Sequence, residues 1–170
     1  MIELLLIDVD GTLSDGKLYY SQSIFKDKTL NEAKAFNVKD GLGLKYWHSL
    51  GRKSAIITGK SSDIVMHRAK ELDIEFVFMG IKNKGDVVRG LKKKLSLESS
   101  NCASIGDDVN DISMFLESSL NFAPRDSSII VKQKADVVLE SIGGDGAVRE
   151  MIEFILKKEN MHEEFINYWK

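Results

Sequence analysis

Residues that impose covalent or chain-breaking constraints are scarce: the 170-residue sequence holds one cysteine and one proline. With Cys102 alone, no internal disulfide can form, which fits a reducing compartment. Cys102 stands in an apolar stretch just before Ile105, where a buried, inert thiol is expected. An excess of one charge is also missing. Twenty-four Lys and Arg against 26 Asp and Glu leave a net charge of −2, so the electrostatic footprint of a nucleic-acid binder is absent. The only dense basic run, 92–94, reads as a solvated helix face. No apolar run approaches the roughly 20 residues that span a bilayer. The N-terminal apolar run has no basic segment ahead of it and ends at Asp8, so it does not read as a secretory leader. A soluble, cytoplasmic protein with neither nucleic acid nor membrane as partner is expected.

The remaining composition, 43% apolar and 29% charged, is that of an ordinary globular domain. A chain of this length buries roughly 68–70% of the surface its unfolded form exposes, enough for one domain over 1–170. Short apolar runs at 4–9, 53–58, 76–79, 102–105 and 136–139 read as strands buried on both faces. Helical patterns lie between them. One covers 41–50 and ends at Gly51. A second, capped by Ser61 or Ser62, carries Ile64, Val65, Ala69 and Leu72. Others cover 84–95, 111–117 and 147–158. This alternation predicts an α/β fold, a doubly wound, Rossmann-like parallel sheet with helices on both faces. Two segments break the rhythm. Residues of about 14–37 read as a β-hairpin inserted after the first strand. The tail, about 160–170, carries Phe165, Tyr168 and Trp169; such a terminus is either frayed or docked, and three aromatic side chains favour docking, on a neighbouring subunit.

The chemistry sits at the ends of the predicted strands. Asp8-Val9-Asp10-Gly11-Thr12 sets two carboxylates at the carboxyl end of the first strand, where open α/β sheets bind ligands. Packing explains them poorly, because desolvated neighbouring carboxylates need a compensating cation or ligand. Gly106-Asp107-Asp108-Val109-Asn110-Asp111 repeats the arrangement after a later strand, and hard oxygen donors of this kind suit Mg²⁺. Thr58 and Gly59 follow the second predicted strand and can cradle a phosphate. Lys84 opens a helix. Each element alone has a plain structural reading: a capped turn, an acid-rich helix start, a strand–helix connection, a surface charge.

Taken in order, the four elements resemble the motifs of the haloacid dehalogenase superfamily: DxDGT, a threonine after a strand, a lysine, and GDDxxD. The segment 34–41, KAFNVKDG, and the segment 143–150, GGDGAVRE, are similar to its small capless branch. That branch includes the phosphatases of 3-deoxy-D-manno-octulosonate 8-phosphate and of nine-carbon sialic-type acids. The resemblance implies a Mg²⁺-dependent phosphatase with Asp8 as nucleophile and Asp10 as general acid and base. It implies metal ligation by Asp8, by the Asp10 backbone carbonyl and by Asp107. Thr58, Gly59 and Lys84 would hold the phosphoryl group, with Asp108 and Asp111 behind the metal and the lysine. Lys60, Arg68, Asn37 and Asp40 are the candidates for the sugar acid, the two cations for its carboxylate. Members of the branch are homotetramers whose hairpins meet at the centre, so Tyr19, Tyr20 and Phe25 are expected at an interface. The chain departs from the eight-carbon enzymes at Lys60, where they usually carry arginine, and at Asp145, where a basic residue is common. The expected substrate is 3-deoxy-D-manno-octulosonate 8-phosphate. The alternatives are a nine-carbon acid 9-phosphate, a sugar acceptor in place of water, and a non-catalytic partner of a sugar-acid cytidylyltransferase.

Overall fold

The computed structural model describes residues 1–22 and 30–170. Strand β1 (Leu4–Ile7) is buried at all four positions. A small antiparallel hairpin follows, β2 (Tyr19–Gln22) against β3 (Leu30–Ala33), with Tyr19 opposite Ala33. Then come α1 (Val38–Ser49), β4 (Lys53–Ile57), α2 (Asp63–Glu71), β5 (Phe76–Phe78), α3 (Lys84–Leu95), β6 (Cys102–Ile105) and α4 (Ile112–Phe115). The chain closes with β7 (Leu120–Ala123), α5 (Ile129–Lys132), β8 (Val137–Val138), α6 (Ala147–Lys158) and α7 (His162–Tyr168). The main sheet runs β5-β4-β1-β6-β7-β8 and every pairing in it is parallel.

The alternation of strand side chains splits the core into two layers. Leu5 and Ile7 point to the side covered by α1, α2, α6 and α7, where Trp47, Ala69, Met151 and Ile155 are buried. Leu4 and Leu6 face α3, α4 and α5, with Val88, Met114 and Val131. Cys102 lies in this second layer and is fully buried; burial pushes its thiol up to about 11, which keeps it protonated. Among the described residues no helix is long and apolar enough to cross a membrane.

The doubly wound sheet, the hairpin and helices α3 and α6 agree with the sequence reading, and four details differ. Strand β7 was not foreseen, since Leu-Asn-Phe-Ala offers a polar residue where a doubly buried strand should be apolar. That residue, Asn121, accepts from Ser104 and Ser118 through Oδ1 at 2.6 and 2.9 Å, so its polarity is satisfied inside the sheet. The short helix α5 was also missed. Helix α1 begins at Val38, with the Asn37 side chain accepting from the Lys39 N–H as its cap. The tail is helical and docks on its own domain: Phe165 is 3% exposed and its ring meets Tyr46 at 4.8 Å. On the hairpin, Tyr19 and Tyr20 are 43% and 56% exposed, while the Phe25 expectation lies outside the described residues.

Candidate active site

The chain leaves β1 toward β4 on one side and returns as β6 on the other. The crevice at the carboxyl ends of these strands is therefore the switch point where such sheets bind ligands. Asp8 begins the turn after β1, its N–H donating to the Ile105 carbonyl at 3.1 Å. The turn closes through bonds from the Thr12 and Ser14 N–H groups to the Val9 carbonyl, at 3.1 and 2.8 Å. Gly11 adopts φ +92°, and a Cβ there would stand 2.2 Å from Asp107 Oδ2. Only glycine lets the two acidic loops approach this closely. The Gly143-Gly144 segment presses on the same turn from outside: a Cβ on Gly143 would lie 1.9 Å from the Gly11 carbonyl, and the Gly144 N–H donates to the Thr12 carbonyl at 2.9 Å. The two glycine-bearing motifs at opposite ends of the sequence thus form one wall.

The carboxylates of Asp8, Asp107 and Asp111 each place an oxygen within 4.8 Å of the others. Lys84, fully buried, bonds Asp8 and also donates to Asp111 Oδ1 at 2.6 Å. The other Asp111 oxygen accepts from the Asp107 and Asp108 N–H groups at 2.9 and 3.2 Å. Asp111 is therefore occupied on both oxygens and acts as the seat of Lys84. Asp108 is exposed and caps its own turn by accepting from the Val109 N–H at 2.8 Å.

Burial, then the Asp111 and Asp107 charges, push the Asp8 carboxyl up to about 8, against the pull of Lys84. Burial followed by Asp111 and Asp108 raises Asp107 to about 6. Burial also opposes the Lys84 charge, but Asp8 and Asp111 outweigh it and raise its pKa. One ammonium cannot neutralise three clustered carboxylates. The donor set fits a hard divalent cation, with Asp8 and Asp107 as the carboxylates whose oxygens are not all taken by protein donors.

Asp10 turns to another partner. Its Oδ1 is bonded by Lys34, whose side chain is only 2% exposed and lies 3.4 Å from Glu32. Lys60 reaches the same Glu32 oxygen at 3.7 Å. Thr58 is buried, its Oγ1 accepting from the Lys60 N–H at 3.3 Å, and Gly59 is exposed beside it.

The sugar-acid candidates separate. Lys60 joins the Asp10 group through Glu32. Asn37 donates to Asp145 Oδ1 at 2.8 Å, and Arg68 donates to the Asn37 carbonyl and to Glu71, both at 3.3 Å. Asp40 must be corrected. It is fully buried and accepts from the Arg149 N–H at 2.8 Å, in the first turn of α6. Gly146 at the α6 N-cap has no side chain, so Asp40 supplies the missing cap from the neighbouring helix; it offers no surface to a substrate. Lys34 and Glu32 escaped the sequence reading. Lys34 heads the KAFNVKDG segment, yet nothing in its spacing says that the hairpin returns it to Asp10.

A family model described as haloacid dehalogenase-like hydrolase matches residues 74–152. A 3-deoxy-D-manno-octulosonate 8-phosphate phosphatase of Haemophilus influenzae is 35% identical over 164 residues, covering 96% of this chain and 88% of that protein. The chain belongs to the haloacid dehalogenase-like hydrolases, in the octulosonate-phosphatase family. Two solved structures of the family are close in shape. The Moraxella catarrhalis phosphatase, in complex with magnesium ion, phosphate ion and KDO, superposes with a TM-score of 0.91 at 41% identity, covering 99% of this chain and 94% of that one. The cobalt-bound H. influenzae phosphatase gives 0.85 at 34%, covering 95% and 91%. The parallel sheet described above is shared with these structures.

Proposed function

We propose that the chain hydrolyses 3-deoxy-D-manno-octulosonate 8-phosphate to the free sugar acid and inorganic phosphate, with Mg²⁺, in the cytoplasm. The observation that carries the reading is the meeting of Asp8, Asp107 and Lys84 at the switch point, in a chain 41% identical to a phosphatase holding magnesium, phosphate and KDO.

Asp8, Asp107 and the Asp10 backbone carbonyl would hold the cation. Mg²⁺, when bound, neutralises the charge between the Asp8 carboxylate and the phosphate dianion. Asp8 then attacks phosphorus, forming an aspartyl-phosphate. Asp10 donates a proton to the leaving sugar oxygen and later takes one from the water that releases phosphate. Lys84, held by Asp111, and the Thr58-Gly59 turn bind the phosphoryl oxygens. Lys60, Arg68 and Asn37 face the sugar acid. The working form is read as a homotetramer built through the hairpin, with Tyr19 and Tyr20 among its contacts.

Phosphate release tests the reading. The purified chain, with Mg²⁺ and no acceptor, is given the eight-carbon 8-phosphate and a nine-carbon 9-phosphate in parallel. A higher kcat/KM for the eight-carbon ester, abolished by Asp8→Asn, is expected. Preference for the nine-carbon ester would replace the substrate, and full activity in Asp8→Asn would remove the nucleophile. Light scattering measures the assembly; a monomer would overturn the tetramer.

A further inference from the structure

We infer that Lys34 is a positioning residue for the reaction: it fixes the Asp10 carboxylate in the orientation that proton transfer requires. The inference rests on the phosphatase reading above. Lys34 follows strand β3 directly, and the antiparallel return of the hairpin brings its side chain back over the turn that carries Asp10. Its side chain is 2% exposed although the residue as a whole is half-buried, whereas a hairpin lysine ordinarily reaches into solvent. Burying an ammonium is costly unless it is paired, and its two carboxylate partners, Asp10 and Glu32, are both within ion-pair distance.

Asp10 is a third exposed and sits on a turn rather than in a strand. Left alone, such a carboxylate samples several rotamers, and holding one costs side-chain entropy. Lys34 occupies Oδ1, which leaves Oδ2 for the travelling proton. In the first step the bond from phosphorus to the sugar oxygen breaks, the Asp8–phosphorus bond forms, and Asp10 gives its proton to the leaving oxygen. In the second, the oxygen of water bonds phosphorus, the Asp8–phosphorus bond breaks, and Asp10 recovers a proton from that water. Both transfers need the Oδ2 edge aimed at the reacting oxygens, and geometry governs such transfers before acidity does. Glu32 holds Lys34 from behind and also faces Lys60, so the hairpin, the acid–base residue and the Thr58 loop form one connected row. A purely structural reading remains testable, in which Lys34 only ties the hairpin to the domain.

The experiment compares the full chain with Lys34→Met and Lys34→Arg, Mg²⁺ present, on the sugar acid 8-phosphate and on p-nitrophenyl phosphate by rapid quench. Nitrophenolate leaves without needing a proton. Lys34→Met should lower kcat on the sugar phosphate by about 10²-fold, the scale of one positioned acid–base group, with KM little changed. Its nitrophenolate burst should keep a near wild-type rate, and Lys34→Arg should recover most of the loss. In an Asp10→Asn background Lys34→Met should add no further loss. Equal losses on both substrates in the burst phase, additive losses with Asp10→Asn, or a lower melting temperature at unchanged kcat would overturn the inference. If Lys34→Met does not fold, Lys34→Gln against Lys34→Arg reads the same contrast. If wild type hydrolyses only other alkyl phosphates, the substrate reading fails and Lys34 is judged on those esters. If it hydrolyses none, both fall.

Discussion

The Lys84 ammonium meets the Asp111 carboxylate at 2.6 Å, and neither side chain is exposed to solvent. Asp111 is itself pinned by two backbone N–H groups of its own loop, so the lysine rests on a part of the main chain that cannot move independently. Breaking a buried pair by removing one partner costs about 3–5 kcal/mol. Lys84 keeps Asp8 as a partner and the change removes the Asp111 charge that repels Asp8, so Asp111→Ala should lose less than that in urea unfolding, while activity falls because the lysine loses its seat. Asp111→Asn, which keeps one acceptor oxygen for three donors, should fall between. An Asp111→Ala protein as stable as wild type would show that Lys84 does not need its seat.

Gly11→Ala directs a methyl group at Asp107 Oδ2, 2.2 Å away, on a backbone with φ +92°. Moving a ligand's support typically costs about 10–100-fold in metal affinity. The Mg²⁺ concentration for half-maximal activity should rise by that factor. Gly90→Ala is the control: it has open space around it in the middle of α3 and should gain about 1 kcal/mol from helix propensity. Equal Mg²⁺ requirements in the Gly11→Ala and wild-type chains would refute the close approach.

Metal binding and pH should be coupled. In the metal-free chain the Asp8 and Asp107 carboxyls are raised to about 8 and about 6, and both must lose their protons to ligate. Mg²⁺ affinity should therefore increase as pH rises from about 6 to 8, by up to about tenfold per unit for each proton released. The folded, metal-free chain holds these protons more tightly than the unfolded one. Their stabilising contribution is present below the unfolded carboxyl pKa and is lost as pH rises through 6 and then 8. Buried Asp40, raised to about 6, acts in the same direction. Chelated protein should melt at a lower temperature at pH 8 than at pH 6, and Mg²⁺ should raise the melting point more at pH 8. A Mg²⁺ affinity flat across that range would contradict the raised carboxyls.

The tail should be structural. Phe165 packs edge-on to Tyr46 and lies under Arg149, whose guanidinium carbon is 4.4 Å from the ring centroid. Phe165→Ala should cost about 3 kcal/mol, as buried phenylalanines do, with kcat of the folded protein unchanged. A lower kcat at full folding after removal of 161–170 would instead put the tail in a neighbour's crevice.

Much of this protein follows from local chemistry alone. The runs Leu4–Ile7 and Cys102–Ile105 are apolar at nearly every position because a parallel strand is covered on both faces, and the acids begin where each run stops. Asp8, Asp10, Asp107 and Asp111 therefore stood out, while Thr58 and Lys84 joined them only through the resemblance to the haloacid dehalogenase motifs. Tertiary structure decided what no period or spacing encodes. It showed that Asp40 caps α6 rather than facing the crevice, that Asn121 is a satisfied strand residue, and that Phe165 folds back on Tyr46. It also showed that Lys34, remote in sequence, closes on Asp10. Each of these depends on which polar group meets which across a packed interface. Local sequence reports whether a residue tolerates burial; only the folded chain determines the partner that makes burial tolerable.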